Sequence, residues 1–251
     1  MKATELHIFA VPGIPDVAPG ADLGALVADA VARSGRAVEP GDVFVVAQKI
    51  VSKAEGALIR LDEVVPSPLA EQWAAAHGKD ATVVEVIFRE SRRIVRMDRG
   101  ILITETHHGF VCANAGVDES NVAPGFVTVL PRDPDASAER LRAALSEACG
   151  SPVAAIVSDT FGRPWREGFV NVALGVAGLR PLVDYRGCLD PFGRELQATV
   201  IALADELAGA AEIVTRKTAR TPVAIVRGAA EWAGEGSGRM LLREAERDLF
   251  R

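Results

Sequence analysis

The run Val153-Ala154-Ala155-Ile156-Val157-Ser158 constrains the fold of this chain more than any other stretch. It is short, nearly all apolar and rich in branched residues, which reads as a buried strand. It breaks off into Asp159-Thr160, so a carboxylate and a hydroxyl are expected where that strand leaves its sheet. Comparable runs recur at 6–11, 43–47, 101–104 and 223–226. Helical signals lie between them. Residues 68–76 form the clearest helix, with Ser67 as cap, Pro68 in the first turn and Gly78 as the stop. A second helix is expected from about 138 to 149, ending at Gly150 and presenting Leu141, Leu145 and Ala148 on one face. A third is expected to begin near Glu195 and continue through Leu203 and Leu207. A last one is expected over 240–249, where charges alternate around a leucine stripe.

Strands and helices therefore intermingle without strict alternation. His107-His108-Gly109 reads as a turn between adjacent strands and implies an antiparallel pair. Together these features favour a mixed α+β fold over a doubly wound one. Pro131-Arg132-Asp133-Pro134-Asp135 is the best candidate linker.

With 251 residues, 49% hydrophobic and 25% charged, the chain is long and apolar enough for a real core. A net charge of -6 argues against a nucleic-acid binder. No apolar stretch approaches membrane-spanning length, and Met1 to Glu5 lacks signal-peptide character. The three cysteines, Cys112, Cys149 and Cys188, are scattered, which suggests buried small residues in a reducing cytoplasm.

Common catalytic signatures are absent: there is no P-loop, no G-x-S-x-G elbow and no H-E-x-x-H. Gly234, Gly236 and Gly238 read as a flexible turn, and the two adjacent histidines as loop residues. Three other places carry chemistry. Asp159 and Thr160 offer hard oxygens suited to Mg²⁺ or Mn²⁺, and Arg163 and Arg166 follow on a Gly/Pro loop that suits an anion. A helix cap with two solvated arginines is the alternative. Ala113-Asn114-Ala115-Gly116-Val117-Asp118 repeats the pattern, with Asp118 a possible second ligand and Asn121 a donor to a base or sugar; an Asx turn is its alternative. Lys49 and Lys53, four residues apart, share a helical face that suits a phosphate or is merely solvated.

Taken in order, these segments resemble a known family. The resemblance rests on Gly13-Ile14-Pro15, Val51-Ser52-Lys53-Ala54-Glu55-Gly56, Ala115-Gly116-Val117-Asp118 with Ser120-Asn121, Ser158-Asp159-Thr160-Phe161-Gly162-Arg163, and Asp190-Pro191-Phe192-Gly193-Arg194. It is to the coenzyme F420-0:L-glutamate ligases, the gamma-glutamyl ligases, and covers essentially the whole chain. It implies a single ligase domain over 1–251 with two interleaved subdomains, and an intertwined homodimer. It implies GTP as co-substrate, coenzyme F420-0 and L-glutamate as the molecules joined, two divalent ions (Mg²⁺ or Mn²⁺) per site, and K⁺ as an accessory ion. By position, Asp118 and Asp159 would hold one metal and Thr160 would help hold the other. Ile14, Pro15, Asp16, Val17, Gln48, Lys53 and Asn121 would line the nucleotide site, and Lys53 and Asp159 would be catalytic. Two departures stand out. Gln48 sits where serine is frequent, and the loop from Thr215 to Arg220 is basic where some relatives have a Gly/Glu-rich loop that contributes an acidic metal ligand. The rival readings are another nucleotide-dependent amide ligase or phosphotransferase on the same fold, and a non-catalytic deazaflavin-binding module.

Overall fold

The computed structural model describes residues 5–248. Its centre is a five-stranded sheet of β1 (His7–Ala10), β12 (Val223–Arg227), β2 (Val43–Ala47), β8 (Ala154–Gly162) and β9 (Phe169–Ala177), in that order. Only β2 and β8 run parallel; the other neighbours are antiparallel. Successive residues of a strand point to opposite faces, and here both faces are apolar. Phe44, Val46, Ala155, Val157 and Ile225 pack on one side against α1 (Leu23–Arg33) and α5 (Pro134–Cys149). Val43, Val45, Ala154, Ile156 and Val226 pack on the other against α6 (Leu203–Thr215). Double-sided burial is why these segments read as unbroken apolar runs.

Strand β2 passes directly into α2 (Gln48–Ala54), with no connecting loop. A second group of elements stands beside the sheet: α3 (Pro68–His77), α4 (Ala81–Arg89), and the antiparallel strands β4 (Ser91–Asp98), β5 (Ile101–Thr106) and β6 (Val111–Ala113). Its core is Ala70, Ala74, Val84, Ile87, Leu102 and Ala115. Two short antiparallel pairs complete the fold: β3 (Leu58–Arg60) with β7 (Phe126–Thr128), and β10 (Val183–Asp184) with β11 (Val200–Ile201). The mixed α+β expectation holds. Among the described residues no helix is long and apolar enough to cross a membrane.

Edge strand β9 is held by carboxylates. Asp205 of α6 accepts from the Ala173 amide at 2.9 Å, and Asp135 of α5 accepts from Val176 at 2.9 Å and Gly238 at 2.5 Å. These bonds satisfy edge amides that would otherwise be open to another strand. They also give Pro131 to Asp135 its character: rather than a linker, its end is the start of α5, with Asp133 capping the Ala136 amide at 3.1 Å.

Three expectations are corrected. No helix starts at Glu195; α6 begins at Leu203, and the preceding segment is a turn in which Asp190 accepts from the amides of Phe192 and Arg194, both at 2.8 Å. Residues 240–248 form single 3₁₀ turns, at Gly238–Leu241 and Ala245–Arg247, rather than an α-helix; Leu249 lies outside the described residues. Gly234, Gly236 and Gly238 are not a flexible turn but a close-packed one. A Cβ on Gly238 would stand 2.2 Å from the Leu174 carbonyl oxygen, and one on Gly236 would stand 2.5 Å from that of Leu179.

Candidate active site

The parallel pair ends at Ala47 opposite Ser158, and a cleft opens beyond it. Carboxyl ends of parallel strands are where open α/β sheets place ligands. The apolar run ends at Ser158, but β8 does not. The pairing shifts register at Leu174, an extra residue on β9 opposite Val157 and Ser158, and β8 continues with β9 to Gly162. Asp159 and Thr160 therefore lie on ordered strand, past the last parallel pairing and facing the cleft.

Asp118 reaches the cleft by another route. After β6 the chain turns through Asn114, Ala115 and Gly116, all at positive φ (54°, 53° and 72°). Gly116 leaves no room for a side chain, since a Cβ would meet Leu130 at 2.7 Å. The Asp118 backbone is then pinned to Thr128 by two hydrogen bonds of 2.9 and 3.1 Å. Positive φ recurs around the cleft at Asn121 (57°), Arg216 (53°) and Arg220 (53°), and such strain concentrates at functional sites.

The cleft has a volume of about 1210 Å³. Ile14, Pro15, Asp16 and Val17, from the connection between β1 and α1, line it with Gln48, Lys53, Asp118, Asn121, Asp159 and Thr160. The structure thus brings these ten residues to one place. Gln48 is the most enclosed, at 2% exposure, and its Oε1 accepts from Ser52 Oγ at 2.8 Å. The Lys53 side chain makes no hydrogen bond or ion pair within the described residues and faces the cleft. Arg163 is not at the site: it donates to the carbonyls of Glu167 (2.5 Å) and Gly168 (3.3 Å) and closes its own hairpin. Arg166 does not line the cleft either.

Lys49, expected to share a phosphate-facing surface with Lys53, and Lys217 of the basic loop both reach the acidic groups instead. Lys49 Nζ donates to Asp118 Oδ2 at 2.6 Å and to Ser120 Oγ at 2.5 Å. The hydroxyl of Thr160 donates to Asn171 Oδ1 at 2.6 Å, and Lys217 Nζ donates to that same hydroxyl. Asn171 was legible only through register, because it is the residue paired with Thr160 across the β8–β9 hairpin. Cys112 is the buried small residue expected, but it also lines the cleft; burial, aided by Asp159, pushes its thiol up to about 12.

The two carboxylates titrate in opposite directions. For Asp118, burial acts upward, but hydrogen bonds from Lys49 and Ser120 outweigh it and hold the group below its usual range. Asp159 is pushed up to about 6, first by burial and then by the charge of Asp118, against a hydrogen bond from the Thr160 amide and the charges of Lys217 and Lys49. No described side chain donates a hydrogen bond to it. A buried carboxylate met only by a backbone amide, beside a second carboxylate, is a position that a cation would relieve.

Among the described residues no group of three or more His, Cys, Asp or Glu converges to hold a metal ion. The donor set nonetheless suits Mg²⁺ or Mn²⁺. These ions are commonly held by one or two carboxylates, with substrate phosphates and water completing the octahedron. Asp118 and Asp159 fit one such ion, once Lys49 yields its bond to Asp118. The hydroxyl of Thr160 fits a second ion poorly, because it already accepts from Lys217.

Fold and cleft together set an acidic pair, Asp118 and Asp159, beside a wall of basic side chains, an arrangement suited to anionic ligands. Comparison with known proteins narrows the class. The F420-0:Gamma-glutamyl ligase family model matches residues 13–228. The chain is 47% identical over 250 residues to the coenzyme F420:L-glutamate ligase of Methanothermobacter thermautotrophicus, covering 98% of this chain and 99% of that one. It is 49% identical to the protein of that name from Methanopyrus kandleri, with 98% of each covered. The Methanocaldococcus jannaschii protein of the same name is 46% identical over 85% of this chain and 86% of its own length. The chain belongs to the F420-0:gamma-glutamyl ligase family and is by that membership an enzyme of the ligase class.

Proposed function

We propose that this chain joins L-glutamate to coenzyme F420-0 with GTP as the energy source. The observation that carries the reading is the convergence of Asp118 and Asp159, from distant stretches, in a cleft walled by Lys49, Lys53, Arg216, Lys217 and Arg220. A carboxylate does not acylate an amine at useful rates unless activated. Transfer of the γ-phosphoryl group of GTP to the terminal carboxylate of F420-0 gives GDP and an acyl phosphate. The glutamate amine then attacks the acyl carbon, the amide forms and phosphate departs.

In phosphoryl transfer the protein mainly positions groups and neutralises charge. Ile14 to Val17, Gln48 and Asn121 would receive the nucleotide, and Lys53 and the basic loop its phosphates. Asp118 and Asp159 would hold a Mg²⁺ or Mn²⁺ ion, which when bound supplies Lewis acidity toward the transferred group. The test is incubation with F420-0, glutamate, GTP and Mn²⁺, followed by mass analysis for a product heavier by one or more glutamyl residues. Asp159→Ala is expected to abolish GDP release and leave the circular dichroism spectrum unchanged; near-wild-type turnover by that variant would remove Asp159 from the mechanism.

We further propose that the chain acts as a homodimer. Trp165 (79% exposed) and Phe169 (76%) on the β8–β9 hairpin, with Leu189 (69%) and Phe192 (91%), are large apolar side chains open to solvent. Residues of this kind commonly mark interfaces. Light scattering during gel filtration should give twice the chain mass, and Trp165→Asp with Phe192→Asp should shift it to the monomer.

A further inference from the structure

The basic loop after α6 faces the acidic pair across the cleft. The end of α6 and the loop are closed by two bonds: the Arg216 amide donates to the Glu212 carbonyl at 3.0 Å, and Thr221 Oγ1 donates to the Thr215 carbonyl at 2.6 Å. Within that closed turn Lys217 sends its ammonium to the Thr160 hydroxyl, whose own proton is given to Asn171 Oδ1. The hydroxyl that a second divalent ion would need is therefore already met by a fixed positive charge. Arg216 and Arg220 line the same wall and add to the repulsion any further cation would feel there. An ammonium is itself a compact point charge with three donors, suited to a phosphate oxygen.

We propose that Lys217 replaces a second metal in this chain: the site takes one divalent ion, between Asp118 and Asp159, and the ammonium held at Thr160 meets the terminal phosphate of the nucleotide. This rests on reading the cleft as a nucleoside triphosphate site. It makes Lys217 a catalytic residue, acting on the reacting phosphate, and it makes the number of ions per active site a property of one side chain.

The test counts ions rather than turnover. Protein is dialysed to equilibrium against Mn²⁺ and a saturating non-hydrolysable GTP analogue, and bound Mn²⁺ and nucleotide are measured per chain. One Mn²⁺ per nucleotide is expected for the wild type. Two are expected for Lys217→Gln, which is neutral, similar in length and carries an oxygen donor. Two ions in the wild type, or one in both proteins, overturns the assignment. A second measurement addresses the phosphate. In EDTA, Lys217→Gln should weaken analogue binding about tenfold or more, the scale of a lost charge-assisted bond; unchanged affinity overturns that contact. Lys217 is exposed, so the variant is expected to keep its melting temperature. The ligase reading fails separately. Absence of a glutamylated product with the ion count still at one removes the reaction and leaves the ion assignment standing, whereas absence of analogue binding by the wild type removes the nucleotide reading beneath both.

Discussion

At the scale of single residues, Asp159 carries the clearest trade between stability and chemistry. Its folded pKa, pushed to about 6, exceeds the ordinary 3.8, so the folded protein prefers the carboxyl protonated. That preference stabilises fully below about pH 3.8 and is lost as pH rises through 6, leaving an ionised, poorly solvated group at neutrality. In EDTA, Asp159→Asn should therefore be more stable than the wild type at pH 7, by roughly 2 to 3 kcal/mol, with the gap closing near pH 4. Thermal melts of both proteins across that range check this, and equal stability at pH 7 would contradict it. Mn²⁺ should reverse the order, stabilising only the wild type. The carboxylate was visible in the sequence because an apolar run ends on it. Its environment was not, since Cys112, Lys49 and Lys217 come from remote segments and no local pattern links them.

At the scale of elements, legibility followed capping chemistry. Helix α3 was readable because Ser67, Pro68 and Gly78 mark both ends, and Gly78 indeed takes the left-handed conformation, with φ 62°. Helix α5 was readable at Gly150 but misplaced at its start, because Pro134 looks like a linker residue and is in fact a first-turn residue. The helix expected from Glu195 starts only at Leu203, because the Asp190 turn holds the amides of Phe192 and Arg194 and residues Val200–Ile201 pair as β11 with β10. The bulge at Leu174 of β9 was invisible, since it depends on register with β8. Gly175 shows how tightly that strand is packed: a Cβ there would stand 2.0 Å from the Pro134 carbonyl oxygen. Backbone cannot yield as a side chain can, so Gly175→Ala is expected to cost at least about 3 kcal/mol, the upper end for overpacking. Urea denaturation measures it, and a cost below about 1 kcal/mol would show that α5 and β9 slide apart easily.

At the scale of the whole molecule, the chain's ends are tied together. Strand β12 lies between β1 and β2, and Arg227 at its end grips Asp42, which is 1% exposed, through two bonds of 3.0 and 2.8 Å, while also reaching Glu39 at 2.5 Å. Arg227→Met would strand a buried carboxylate and should cost about 3–5 kcal/mol; adding Asp42→Asn should recover part of it, and guanidinium titrations of the single and double variants decide the matter. The strand order has a further consequence during synthesis. Among the described strands, the first to leave the ribosome pairs only with the last, so His7 to Ala10 must wait through more than two hundred residues of translation before Val223 to Arg227 emerges to receive it. Until then the nascent chain keeps two open strand edges, and a truncated product, however nearly complete, has no means of shutting them.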